Sequence, residues 1–190
     1  MKRVCIFGGT FNPPHIGHLI MANEVYHGLA FDEIRFMPNA LPPHKVGSEL
    51  CSVKQRLDMV QIAIEPFPYF SVETIELNRG GISYTYDTMY ELQKREPETK
   101  FSFLIGGDMI AYLEKWHRID ELIKLVQMIG VKRPGYELKT KYPVTLIEAP
   151  QIDLSSTMLR KRISENKDVS LLIPHAVHDY IRQEHLYESR

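Results

Sequence analysis

The chain has 190 residues, enough for one folded unit with a substantial core and too few for two ordinary domains, so residues 1–190 are read as a single domain. Hydrophobic residues at 44% and charged residues at 25% exclude a disordered or fibrous chain and fit a globular one. A formal net charge of −1 offers no basic excess for nucleic acid and no acidic tail.

Arg3–Phe7 is an apolar run that reads as a strand. Residues 8–18 follow as Gly-Gly-Thr-Phe-Asn-Pro-Pro-His-Ile-Gly-His, and a helix leaves them carrying Ile16, Leu19, Ile20, Tyr26 and Leu29 at near-helical spacing. Glu33–Pro38 is a second strand, with a polar, proline-containing loop over 39–49 behind it. Ser52 and Gln55 form a capping-box pair that opens a helix holding Val53, Leu57, Val60 and Ile64. Tyr69–Leu77 is strand-like and ends in Asn-Arg-Gly-Gly, and Thr85 is placed to cap a helix running to Arg95. Phe101–Ile105 is a strand followed by Gly-Gly-Asp at 106–108. A short helix ends at Leu122–Leu125, and Val126–Val131 and Val144–Glu148 are strands. Ser155 begins a helix, and Ala176–Gln183 forms the last one.

Strands alternating with helices in this way imply an α/β fold, a doubly wound and mainly parallel sheet with helices on both faces. Such sheets bind ligands beyond the carboxyl ends of their strands, where the strand order reverses. The two Gly-Gly segments, 8–9 and 106–107, each follow a strand and so belong to that rim. Cys5 lies inside the first apolar run and reads as a buried thiol, with Cys51 the one other cysteine. A strand starts almost at once, leaving no room for a signal peptide, and no apolar run reaches the length of a membrane span. The expected compartment is the reducing cytoplasm, with no membrane partner.

The chemistry is concentrated in residues 8–18. Gly8 and Gly9 let the backbone turn sharply and approach a ligand. His15 and His18, three residues apart where a helix begins, fall on one face of it. The amides of a helix N-terminus favour negative charge, so the segment reads as a phosphate site with two imidazoles aimed at it. Leu-Ser-Ser-Thr-Met-Leu-Arg at 154–160 makes a second candidate anion cup, with Ser155 as N-cap, Ser156 and Thr157 in the first turn and Arg160 one turn further in. The first turn is not Gly-x-Gly-x-x-Gly and no acidic residue closes the second strand, which excludes a nicotinamide-dependent dehydrogenase.

Together these segments resemble the two signatures of the nucleotidylyltransferase superfamily, His-x-Gly-His and Ile-Ser-Ser-Thr-x-Ile/Leu-Arg, here about 140 residues apart on strand-to-helix junctions. Gly-Gly-Asp at 106–108 with Trp116 after it resembles one branch, the bacterial nicotinate mononucleotide adenylyltransferases. The departures are small: Leu154 stands where Ile is common, Thr10 where Ser is, and Asn12 where Asp is.

The resemblance implies a Rossmann-like fold and a reaction. ATP and nicotinate mononucleotide give nicotinate adenine dinucleotide and pyrophosphate, by direct in-line attack of the mononucleotide phosphate on the α-phosphorus. It implies His15, His18 and Arg160 as catalytic donors, with His18 nearest the α-phosphate. ATP would meet Gly8, Gly9, Thr10, Phe11, His15, His18, Gly106, Asp108, Arg133, Ser155, Ser156, Thr157 and Arg160, with Asp108 on a ribose. The mononucleotide would meet Asn39, His44, Lys45, Thr85, Tyr112 and Trp116, an aromatic face stacking on the pyridine ring. No protein side chain is expected to hold a metal, Mg2+ arriving with the ATP phosphates. The partners expected are these two small molecules, the oligomeric state being left open.

Each feature taken singly has a plainer explanation. Ser-Ser-Thr is most often an ordinary N-cap, Trp116 a packing aromatic, Thr85 a cap and Lys45 a solvated loop residue. His175, His178 and His185 read as a solvated helix face, since no cysteine or clustered carboxylate joins them in sequence. Alternatives from other branches and classes are an adenylyltransferase for nicotinamide mononucleotide or phosphopantetheine, and a non-catalytic nucleotide-binding module on the same fold.

Overall fold

The computed structural model describes residues 1–40, 51–132, 140–150 and 152–189, the side chain of Asp108 excepted. Strands β1 (Lys2–Gly9), β2 (Glu33–Pro38), β3 (Phe70–Val72), β4 (Thr99–Gly106), β5 (Gln127–Val131) and β6 (Val144–Ile147) form one sheet in the order β3-β2-β1-β4-β5-β6. Every pairing is parallel, with Gly8 opposite Met37, Phe7 opposite Leu104 and Gly106 opposite Val131. Strand order reverses between β1 and β4, so the crevice for a ligand opens where Gly9 and Gly106 end those two neighbours.

The helices are α1 (Ile16–Gly28), α2 (Val53–Ile64), α3 (Ile75–Arg79), α4 (Thr85–Arg95), α5 (Gly107–Ile110), α6 (Ile119–Leu125), α7 (Ser156–Ser164) and α8 (His175–Gln183), with one 3-10 turn at Leu113–Lys115. They cover both faces. Cys5, Phe7, Ile34, Phe36, Leu104 and Ile129 pack on one side with residues of α1, α2, α7 and α8. Val4, Ile6, Met37, Phe103, Ile105 and Met128 pack on the other with residues of α3, α4, α5 and α6. Burial on both faces is why the strands read as unbroken apolar runs instead of alternating ones. Burial also pushes the Cys5 thiol far up, so it stays protonated.

Two local expectations are corrected. The strand expected over Tyr69–Leu77 stops at Val72, and Ile75–Arg79 is helical. The cause is Glu73, whose carboxylate is buried and is held by Arg95 Nη1 and Nη2 at 3.1 and 2.5 Å and by Arg35 at 3.4 Å. The same carboxylate accepts the Ile75 N–H at 3.0 Å and so starts α3 where the ladder would otherwise continue. Thr85 is not the cap of α4 but its first helical residue; the N-cap is Tyr84, with extended backbone and no side-chain cap bond. The capping box at Ser52 and Gln55 forms as expected, with bonds of 3.0 and 3.1 Å. Among the described residues no helix is long and apolar enough to cross a membrane.

Candidate active site

The loop from Gly9 to His15 leaves β1 at the crevice and is tied down at nearly every residue. The Gly9 carbonyl accepts from Asn39 N at 3.1 Å, and the Thr10 hydroxyl accepts from Asn39 Nδ2 at 3.4 Å. Phe11 turns the chain with φ of 48°, and its ring is buried edge-on against Phe7 and His18, with centroids 5.4 and 5.1 Å away. The Phe11 ring therefore belongs to the core. Gly8 and Gly9 are required by close packing, since an added Cβ would stand 2.7 Å from the Phe103 ring or 2.8 Å from the Phe11 ring.

His15 is the N-cap of α1, and its Nδ1 accepts the His18 N–H at 3.3 Å. His18 Nδ1 accepts the His15 N–H in return at 3.1 Å. Two histidines thus make the reciprocal capping box that Ser and Glu usually make. Their rings stack with centroids 3.6 Å apart and 19° between planes. Because each Nδ1 is used as an acceptor, the proton of each neutral ring is assigned to Nε2. Gly17 has a structural reason as well, since a Cβ there would come within 3.1 Å of His15 Nδ1.

The second signature is brought onto the first. Ser155 caps α7 by accepting Met158 N–H at 3.2 Å. The Ser156 hydroxyl donates to the Pro13 carbonyl at 2.8 Å, so it fastens the first loop instead of standing open. Arg160 donates from Nη1 to the Asn12 carbonyl at 2.8 Å and from Nη2 to the Thr157 hydroxyl at 3.2 Å. Residues about 140 positions apart in sequence therefore share one set of bonds at one end of the sheet.

On the far side of the crevice, Gly106 ends β4 and Gly107 opens α5, so Gly-Gly-Asp sits at the rim as the sequence implies. Trp116 closes the 3-10 turn and meets Phe103 edge-on at 6.0 Å, and Phe103 is the ring against Gly8. Tyr112 is half exposed beneath the Lys115 ammonium, which lies 5.3 Å from its ring. On either side of Thr85, Tyr84 packs on His117 at 4.6 Å and Arg118 lies 3.9 Å over Tyr86. His44, Lys45 and Arg133, and the side chain of Asp108, fall outside the described residues.

Arg56 is a residue that sequence reasoning passed over. It is 1% exposed on α2 and donates to the carbonyls of Thr10, Asn39 and Ala40 at 3.0, 2.8 and 3.3 Å and to Asn39 Oδ1 at 3.4 Å. It thereby clamps the loop after β1 to the loop after β2. A signal was present: position 56 lies on the same helix stripe as the buried Val60 and Ala63, where a charge is out of place unless it is bonded. Elsewhere, Asp179 brings a carboxylate to His175 and His178 on α8, with donor atoms within 4.8 Å of one another, where the sequence suggested that none joined them.

The sequence pattern of the cytidylyltransferase-like family matches residues 6–162. Over the full length of both chains, 50% of residues are identical to a "Probable nicotinate-nucleotide adenylyltransferase" of Bacillus anthracis and 51% to one of Bacillus mycoides. Among solved structures, Plasmodium falciparum nicotinic acid mononucleotide adenylyltransferase complexed with NaAD superposes with a TM-score of 0.85 at 22% identity, covering 98% of each chain. That last likeness bears on the fold alone, and it agrees with the parallel, Rossmann-like sheet described above. With both signatures meeting at the reversal of strand order, the chain belongs to the cytidylyltransferase-like family and stands in it with the nicotinate-nucleotide adenylyltransferases.

Proposed function

We propose that the crevice between β1 and β4 is where this protein transfers the adenylyl group of ATP to nicotinate mononucleotide, a step of NAD biosynthesis. A phosphate oxygen of the mononucleotide forms a bond to the α-phosphorus, the bond from that phosphorus to the bridging oxygen breaks, and pyrophosphate leaves. Such transfer asks the protein for positioning and for stabilisation of charge more than for covalent work. His18 and His15 supply Nε2–H donors to oxygens of the reacting phosphates, and their shared capping box fixes both rings before substrate arrives. Arg160 and the amides of the first turn of α7 receive the pyrophosphate charge. Trp116, Tyr112 and Thr85 form the pyridine side, while Asn39, His44 and Lys45 attend the mononucleotide phosphate.

The imidazoles, hydroxyls, guanidinium and amides described at the crevice suit phosphate oxygens, and Mg2+ would enter with the ATP phosphates as part of the MgATP substrate. Cys5 and Cys51 are both buried and neither is joined in a disulfide, which fits a reducing cytoplasm.

The reading is carried by the His15–His18 pair standing on the same loop that the second signature holds through Ser156 and Arg160. It is tested by following pyrophosphate release from MgATP with nicotinate mononucleotide, nicotinamide mononucleotide or phosphopantetheine as acceptor. Turnover with strong preference for the acid is the expected result. Preference for another acceptor moves the protein to a sister branch. ATP binding without release in any mixture replaces catalysis with binding alone.

A further inference from the structure

The last turn of the chain reaches the first signature. After α8, His185 and Tyr187 adopt φ of 51° and 66°, which folds the segment back and buries Leu186 and Tyr187 to 6% exposure each. The Tyr187 hydroxyl donates to Asn12 Oδ1 at 2.5 Å. The carbonyl of the same Asn12 accepts from Arg160 Nη1 at 2.8 Å. Burial, with the Cys51 sulfur beside it, pushes the Tyr187 hydroxyl far up, so it remains a neutral donor through the working range of pH.

These bonds run in series. Arg160 carries a planar fork whose direction is fixed by what its two terminal nitrogens hold, here the Asn12 carbonyl and the Thr157 hydroxyl. The Asn12 carbonyl is only as well placed as the residue that bears it, and the Asn12 side chain has one described partner, Tyr187. Resting on the adenylyl-transfer reading of the site, we propose that Tyr187 is a positioning residue: through Asn12 it sets the direction of Arg160 toward the departing pyrophosphate. Tyr187 is not placed on the substrate itself, and its effect passes through the guanidinium.

Tyr187→Phe keeps the buried ring and deletes only the hydroxyl. The test is a double-mutant cycle on the whole protein with Tyr187→Phe, Arg160→Ala and the pair, read by calorimetric binding of magnesium pyrophosphate and by kcat. With Arg160 present, Tyr187→Phe should weaken pyrophosphate about tenfold and lower kcat to a similar degree, with KM for nicotinate mononucleotide nearly unchanged. In the Arg160→Ala background the same change should alter either quantity less than about twofold. Equal losses in both backgrounds, or none in either, overturn the proposal, because a merely structural tyrosine would act independently of Arg160. The binding arm needs no turnover. A wild-type protein that is inert with every acceptor, yet shows the coupling, removes the reaction and keeps the positioning role. A wild-type protein that does not bind pyrophosphate at all overturns both.

Discussion

Arg56→Met tests how far one buried guanidinium holds the loops after β1 and β2 together. The change removes donors from the carbonyls of Thr10, Asn39 and Ala40 and from Asn39 Oδ1. Two of these bonds, at 2.8 and 3.0 Å, are good ones, and two, at 3.3 and 3.4 Å, are weak. Counting about 1 kcal/mol for each good bond and half that for each weak one gives about 3 kcal/mol. Methionine fills most of the volume, so little is added for a cavity, and relief of guanidinium desolvation offsets a part. A net loss of about 2–3 kcal/mol corresponds to a fall in Tm of about 5–10 °C for a chain of this size. Differential scanning calorimetry measures it directly, and kcat/KM for both substrates should fall with it because Thr10 and Asn39 move apart. Arg56→Lys should recover part of the stability, since an ammonium can serve some but not all of the four acceptors in this geometry. A Tm within about 2 °C of wild type with unchanged kinetics would refute the clamp.

Four further outcomes are expected. His18→Ala should lower kcat by about 10²–10³ with little change in ATP affinity, measured by steady-state pyrophosphate release; a raised KM with intact kcat would show that the imidazole binds the ground state instead. His18→Gln, which keeps an acceptor for the His15 N–H, should recover the stability lost with the capping bond but not the rate, separating the two duties of the ring. Trp116→Ala should weaken nicotinate mononucleotide by about tenfold and spare ATP, as read by separate titrations. His185 has φ of 51° and an exposed ring, so His185→Gly should raise Tm by about 1–3 °C in thermal melts, and a fall would show that its contact with Glu188 outweighs the backbone strain.

Acid sensitivity follows from the cluster at the sheet edge. Hydrogen bonding from Arg35 and then Arg95 pulls the Glu96 carboxyl down to about 2 from an ordinary value of 4.5. A carboxyl lowered on folding stabilises fully above its unfolded value, and that contribution is lost as pH falls toward 2. Denaturant melts of wild type and Glu96→Gln should therefore differ most above about pH 5 and converge near pH 2. A difference that stays constant over that range would assign the stabilisation to something other than ionised Glu96.

Much of this protein is legible along the chain because its determinants are local or periodic. Apolar runs such as Val4–Phe7 and Phe101–Ile105 announce strands buried on both faces, and the glycines at 8–9 and 106–107 mark the ends of those strands at the rim, although β1 runs straight through Gly9 and turns only at Phe11. Ser52 with Gln55 and Ser155 with Met158 cap helices through bonds that span three residues, so spacing alone suffices to place them. His15 and His18 also lie three apart, a spacing that by itself brings them together. What spacing could not show is that the two rings cap each other, and so carry their protons on Nε2. Nor could it show that β3 ends at Val72, because the partners that bury Glu73 come from β2 and α4. Arg56 and Tyr187 escaped for the same reason: each acts on the first signature loop across 46 and 175 residues of chain. Local bonds are written in the sequence as intervals, whereas a buried donor is assigned its acceptor only when the sheet order brings distant segments to one rim.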